Sequence, residues 1–191
     1  IERGGSYYTR RSNSSVIAWH VGAQGARATA EKPCAAAPYH FQLTASHGDS
    51  PTFKVKSVGE LEGPQGYLRL NVEAYGGMID YTWFDRPLSL AGRVLVRTGA
   101  RVESRLFSLD RDIAIIPSLA IHMNRDVNNG FAPNRARDLC PLISAGALPA
   151  GSLDQMVADE LGVDVADVLA RDLFLVNRQR SCVWGVADEF V

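Results

Sequence analysis

The sequence is poor in features that announce a compartment or a polyanionic partner. In 191 residues there are 3 cysteines, Cys34, Cys140 and Cys182. They are too widely spaced for a paired motif, which argues against a thiolate zinc site and points to free thiols in a reducing, cytoplasmic setting. Charge of neither sign dominates: 20 Lys and Arg face 21 Asp and Glu, for a net charge of −1 and a pI near 6.5. That balance removes the basic field expected of a nucleic-acid or membrane-surface binder. No apolar run approaches the ~20 residues of a membrane span. The opening Ile1-Glu2-Arg3-Gly4-Gly5 has neither an initiator Met nor an apolar signal region, and reads as a mature or trimmed product. There is no internal repeat and no low-complexity tract. What is there is 46% hydrophobic and 21% charged, an ordinary globular balance with enough residues for one large domain or two small ones.

The pattern along the chain is mixed α and β, with strands dominating the middle. Val16–Val21 is β-rich and bounded by Ser/Asn and Gly22. Residues 22–38, rich in Ala, Gly and Pro, read as a loop, and Tyr39–Ser46 as a strand. Thr52–Val58 and Tyr67–Glu73 alternate apolar and polar residues, as half-exposed strands do, around a turn at 60–66. Leu88–Val96 and Arg101–Leu109 read as a hairpin around Thr98-Gly99-Ala100. Ile113–Ile116 is a short buried run, 124–138 a polar loop, and Pro141–Ile143 a further strand. Ser152 fits the N-cap of a helix with apolar residues at 153, 156, 157 and 161 and Gly162 as its stop. Asp164 is placed to cap a second short helix through Ala170. Leu173–Val176 is strand-like, and Cys182–Val191 more loosely so. The change of character at Gly76-Gly77 and the return near Leu173 suggest a β-rich insert within an α/β domain.

Chemistry concentrates at His47-Gly48-Asp49-Ser50-Pro51, at the end of the apolar run 39–45. A His and an Asp two apart on a turn can share one space. The imidazole can then bind a metal while the carboxylate orients the ring and raises its basicity. The plain structural alternative is a surface turn punctuated by Ser-Pro. His122, beside Leu119-Ala120-Ile121, reads on its own as a partly buried histidine bonded to backbone. Trp83-Phe84-Asp85-Arg86 reads as an anchor with a local Asp85–Arg86 ion pair, or as a pocket lining. Gly76-Gly77 reads as a hinge, or as a close approach to substrate. Arg93, Arg97, Arg101 and Arg105 read as a solvated hairpin face or a basic stripe. The helix 153–161 reads as ordinary amphipathic packing.

Several segments, in order along nearly the whole chain, resemble the aspartyl aminopeptidase family of di-zinc metallopeptidases. They are Gly5–Arg10 with Asn13–Ala18, which look like an early strand pair; His47–Pro51 with Lys54-Val55-Lys56, which look like the metal-binding His-x-Asp-Ser-Pro segment; Val72–Gly77, Thr82–Leu88 and Leu90–Val94; Ile116–Arg125; and Asp188-Glu189-Phe190. The resemblance implies an α/β catalytic domain interrupted by a β-rich dimerisation domain. On this sequence residues 1–75 would open the catalytic domain, 76–172 form the insert, and 173–191 return to the catalytic domain.

The resemblance also implies roles. His47 would be a zinc ligand, Asp49 the catalytic candidate that accepts a hydrogen bond from its ring, and His122 a substrate-binding residue. His122 would reach from the insert into a neighbouring subunit's site. Gly48 stands where the family more often has a hydroxyl residue. The implied enzyme binds a pair of zinc ions and removes single residues, acidic ones in many members, from peptide N-termini. It assembles as homodimers and often as dodecamers. In this family a bridging Asp, a pair of adjacent Glu, another Asp and a final His lie beyond the Asp-Glu-Phe segment, and leader helices precede the first strand. The chain stops at Val191 before those ligands. It is therefore expected to be a portion of an aminopeptidase, inactive alone, because a co-catalytic site needs its full ligand set. The alternative is a non-catalytic oligomerisation or interaction module. A weaker option is a degenerate regulatory homologue.

Overall fold

The computed structural model describes residues 1–12, 15–22 and 41–191. The loop expected over 22–38 therefore falls, after Gly22, outside the described residues, as do Cys34 and the first two positions of the strand expected from Tyr39. The chain forms two compact units, Ile1–His47 and Gly48–Val191.

In the first unit, β1 (Ser6–Arg11) pairs antiparallel with β2 (Ser15–His20), in register from Ser6↔His20 to Arg11↔Ser15. Tyr7 lies directly opposite Trp19, and their rings stack with centroids 5.7 Å apart. Such cross-strand aromatic pairs are the unit of hairpin stability. The strand expected over 39–45 does not form where it is described. Residues 41–46 are irregular, with Phe41 and Leu43 86% and 89% exposed. An apolar alternation makes a strand only where a neighbour takes up its backbone N–H and C=O groups. No ladder reaches these residues among those described.

The second unit is built on one antiparallel sheet. Its strands are β3 (Thr52–Glu62), β4 (Tyr67–Tyr75), β5 (Leu88–Thr98), β6 (Arg101–Ser108), β7 (Leu142–Ala145) and β8 (Val168–Asn177). They lie in the order β6-β5-β8-β3-β4-β7. Period-two alternation sends one set of side chains inward. Phe53 and Val55, Leu70 and Val72, Leu88 and Leu90, Val94 and Val96, and Leu173 and Leu175 are all buried in one cluster. A single α-helix, α1 (Ser152–Leu161), adds Leu153 and Val157 to it. Those two are four apart, so they share a helix face. Burying each such side chain stabilises by roughly 1.5–3 kcal/mol. Gly92 permits the close approach of β5 to β8: a Cβ there would lie 2.1 Å from the Asp172 carbonyl oxygen.

The expected hairpin forms, with Thr98 paired to Arg101 and Gly99 at φ +61° in the two-residue turn. The first helix forms and ends as expected at Gly162, φ +64°. Its N-cap differs. Gly151 holds that position, and Ser152 Oγ instead donates to the Pro149 carbonyl. The second helix is replaced by one 3-10 turn, Val165–Asp167, because Val168 already enters β8 and pairs with Val96. Cys182–Val191 is a turn closed by a Trp184↔Phe190 bridge rather than a strand, with Gly185 and Asp188 both at positive φ.

The domain change expected between residues 75 and 76 lies inside the second unit, between two strands of the same sheet. The described residues are mostly β with one α-helix. That is compatible with part of the expected architecture.

Candidate functional site

His47 and Asp49 lie in the irregular, exposed segment 41–51 that leads into β3. They fall on either side of the division between the two units. Pro51 biases Ser50 away from helical backbone, so the chain enters β3 extended. A zinc site takes about three or four protein donors. No group of three or more His, Cys, Asp or Glu side chains among the described residues could hold a metal ion. His47 is chemically suited to be one donor, but the described residues do not make a complete set.

His122 is carried on a separate feature. Ile116 is buried and bridges Phe84, whose neighbour Asp85 donates its N–H to the Ile116 carbonyl at 2.9 Å. Asp85 adopts φ +57°, a left-handed backbone uncommon outside Gly, Asn and Asp. Its carboxylate accepts the Ser118 N–H on Oδ1 at 2.8 Å and the Ser118 hydroxyl on Oδ2. The hydroxyl first, and the N–H second, hold this carboxyl below its ordinary value of 3.8, against a smaller opposing effect of burial. Beyond Ser118 the chain leaves the surface. Met123 N–H returns to the Ala120 carbonyl at 2.8 Å, closing a turn with His122 at its exposed tip. Leu119, Ile121 and Met123 around it are 63%, 47% and 75% exposed. His122 is thus an exposed loop residue, not the partly buried one its apolar neighbours suggest.

The Asp85–Arg86 ion pair is not what the fold builds. Asp85 is engaged by Ser118, and Arg86 donates instead to the Thr82 carbonyl and to Gln179 Oε1. Trp83 meets Phe53 edge-on, with ring centroids 5.2 Å apart. The four arginines do not form one stripe either. Arg93 and Arg97 sit opposite Leu106 and Val102, whereas Arg105 sits opposite Val94, so the set divides between the two faces. Arg105 also pairs with Glu103 at 3.1 Å. A groove of about 650 Å³ runs along α1 beside Ile113, Ile143 and Met156, and it includes none of His47, Asp49 or His122.

The Asp85–Ser118 clamp was invisible to pattern reading. Its partners are 33 residues apart, and Asp85 reads in sequence as the partner of its neighbour Arg86 rather than of Ser118.

Comparison with known proteins gives one consistent result. The family described as "Aminopeptidase I zinc metalloprotease (M18)" matches residues 1–191. A probable M18 family aminopeptidase 2 from Clostridium acetobutylicum is 39% identical over 198 residues, covering all of this chain and 43% of that protein. A chain in the cryo-EM structure of the Ape4 and Nbr1 complex superposes with TM-score 0.83 at 32% identity, over 99% of this chain and 38% of its own length. The S. cerevisiae mApe1 dodecamer superposes with TM-score 0.59 at 25% identity, over 75% of this chain and 32% of its own. The chain spans less than half the length of the curated relative it matches.

Proposed function

The chain belongs to the M18 family of aminopeptidase I zinc metalloproteases, and on that premise we propose that it is the N-terminal portion of a zinc-dependent aminopeptidase acting on peptide N-termini. The observation that carries this reading is the match of the family over residues 1–191. Residues 1–75 are assigned to the catalytic domain, 76–172 to the dimerisation insert and 173–191 to the return.

Within that enzyme His47 donates one imidazole nitrogen to zinc. Asp49 accepts the N–H of a ring and so fixes the tautomer that presents a lone pair to the metal. Bound zinc would supply an electrophile and lower the pKa of a water. Among the described residues there is no group of three or more His, Cys, Asp or Glu that could hold a metal ion, and the reading takes the 191 residues to be inactive alone. His122, exposed at the tip of its loop, donates to a substrate carbonyl in a neighbouring subunit, which makes the homodimer part of the working unit. The dodecamer named for the yeast relative supports homo-oligomers of this order. Nothing in these residues sets a preference for acidic over other first residues.

The free Cys182 and the buried thiol of Cys140 suit a cytoplasmic protein. Among the described residues no helix is long and apolar enough to cross a membrane.

The test is zinc content and hydrolysis of aminoacyl anilides by the metal-loaded enzyme, with and without His47→Ala. Loss of bound zinc together with activity is expected. Wild-type zinc content in the variant would remove His47 from the ligand set. Hydrolysis by the 191-residue chain alone would overturn its assignment as an inactive portion. No zinc uptake by either form would leave the interaction-module reading standing instead.

A further inference from the structure

We propose that Asp85 is a positioning residue for His122, holding the base of its loop through Ser118. The proposal rests on the reading that His122 touches substrate.

Every residue from Pro117 to Met123 is exposed, so no buried side chain fixes this stretch. Among the described residues, the hydrogen bonds made beyond Ser118 as far as Met123 are internal to the turn. Ser118, four residues before His122, is therefore the last point tied to the body of the unit. The tie is doubled, since one carboxylate takes both the backbone N–H and the hydroxyl of the same residue. Two bonds from one planar group fix direction as well as distance.

Asp85 is itself held in place. Its N–H is bonded to Ile116, on the other strand of the loop base. Trp83 on one side packs against the core residue Phe53, and Arg86 on the other is bonded to Thr82 and Gln179. Asp is among the few non-glycine residues that take up a left-handed backbone. Here it turns the carboxylate toward Ser118. The chemistry needs this, because a donor displaced by about 1 Å can lose on the order of a hundredfold in rate.

The test uses the zinc-loaded enzyme and two readouts. Asp85→Asn keeps the size and tolerates the left-handed backbone, but it removes the charge and replaces the oxygen that accepts the Ser118 hydroxyl with an N–H2 group, so the charge-assisted bond is lost and the hydroxyl can meet it only as an acceptor. It is expected to lower kcat/KM by roughly ten- to a hundredfold. Combined with His122→Ala, it should slow the enzyme no further than His122→Ala alone, since a residue that works only through another has nothing left to position. Exchange should rise at the Ser118 amide, whose N–H is bonded to Asp85, while β5 and β8 keep wild-type protection, which separates loop release from unfolding.

If His122→Ala slows the reaction but the Asp85→Asn effect is additive or absent, the Asp85 proposal is overturned and the role of His122 stands. If His122→Ala is itself without effect, the substrate role of His122 fails. Asp85 is then at most a structural clamp. Unchanged exchange at the Ser118 amide would refute the clamp directly.

Discussion

Glu60 should matter more to the start of helix α1 than the hydroxyl of Ser152, the residue whose side chain looks like the cap. Its Oε2 accepts the Gly151 N–H and its Oε1 the Leu153 N–H, both at 2.6 Å. Those donors belong to the first turn, where α-helical N–H groups have no partner of their own. The carboxylate also sits at the positive end of the helix dipole. A bond to a charged acceptor contributes about 1.5–3 kcal/mol when buried. Glu60 is half-exposed, and solvent screening brings the two bonds together nearer about 2 kcal/mol, in the range of a lost N-cap. Glu60→Ala should therefore lower the melting temperature by about 4–8 °C. Glu60→Gln, with one acceptor oxygen left, should cost about half as much. Ser152→Ala is the decisive control. Its hydroxyl bonds the Pro149 carbonyl rather than the helix N–H groups, so its loss should cost less than about 1 kcal/mol. Urea unfolding followed by circular dichroism reads all three. If Ser152→Ala costs as much as Glu60→Ala, or if Glu60→Ala stays within about 0.5 kcal/mol of wild type, the capping argument is wrong.

Two further changes test other parts of the fold. Gly92→Ala would place a methyl 2.1 Å from the Asp172 carbonyl oxygen and force β5 from β8. A loss above about 3 kcal/mol is expected, visible as a collapse in soluble yield, and a variant as stable as wild type would show that the strands have slack there. Asp85 gives a signed pH effect. Its folded carboxyl is depressed, so its contribution is fully present above its ordinary value of 3.8 and is lost as pH falls through the lower folded value. Asp85→Asn should remove that component, leaving a shallower acid limb in unfolding free energy against pH, and superimposable limbs would count against the Ser118 bonds.

The sheet was legible because its signal is local. Leu88, Leu90, Val94 and Val96 alternate toward the core, and Gly99 marks the turn, so a short window carries both strands of the hairpin. Helix α1 was legible from Leu153 and Val157 for the same reason. What failed depended on partners distant in sequence. Ser152 has the right side chain for a cap, yet Glu60, 91 residues before Gly151, takes the role. Residues 41–46 have a strand's composition but no ladder among the described residues. The stretch 168–170 looked helical after Asp164, but a neighbouring strand edge at Val96 outweighs a weak local preference. In the candidate site His47 and Asp49 could be named from the His-x-Asp-Ser-Pro segment. The exposure of His122 could not, since Leu119 and Ile121 beside it look like core and are not buried.

These residues divide their work cleanly. The apolar set of the sheet forms its core, and His47, Asp49 and His122 lie on irregular, exposed segments. That is the usual arrangement of a rigid scaffold presenting functional loops. It makes the accuracy of a loop, rather than the stability of the sheet, the quantity on which function would turn. The loop bearing His122 has no core residue of its own between Pro117 and Met123, so its accuracy must come from where it is fastened. Leu119, Ile121 and Met123 also stay out of the core. They leave hydrophobic surface at the tip. A fastened base and an unburied tip are together what a segment needs if it is to complete a site outside its own unit, and a loop held by its own packing would need neither.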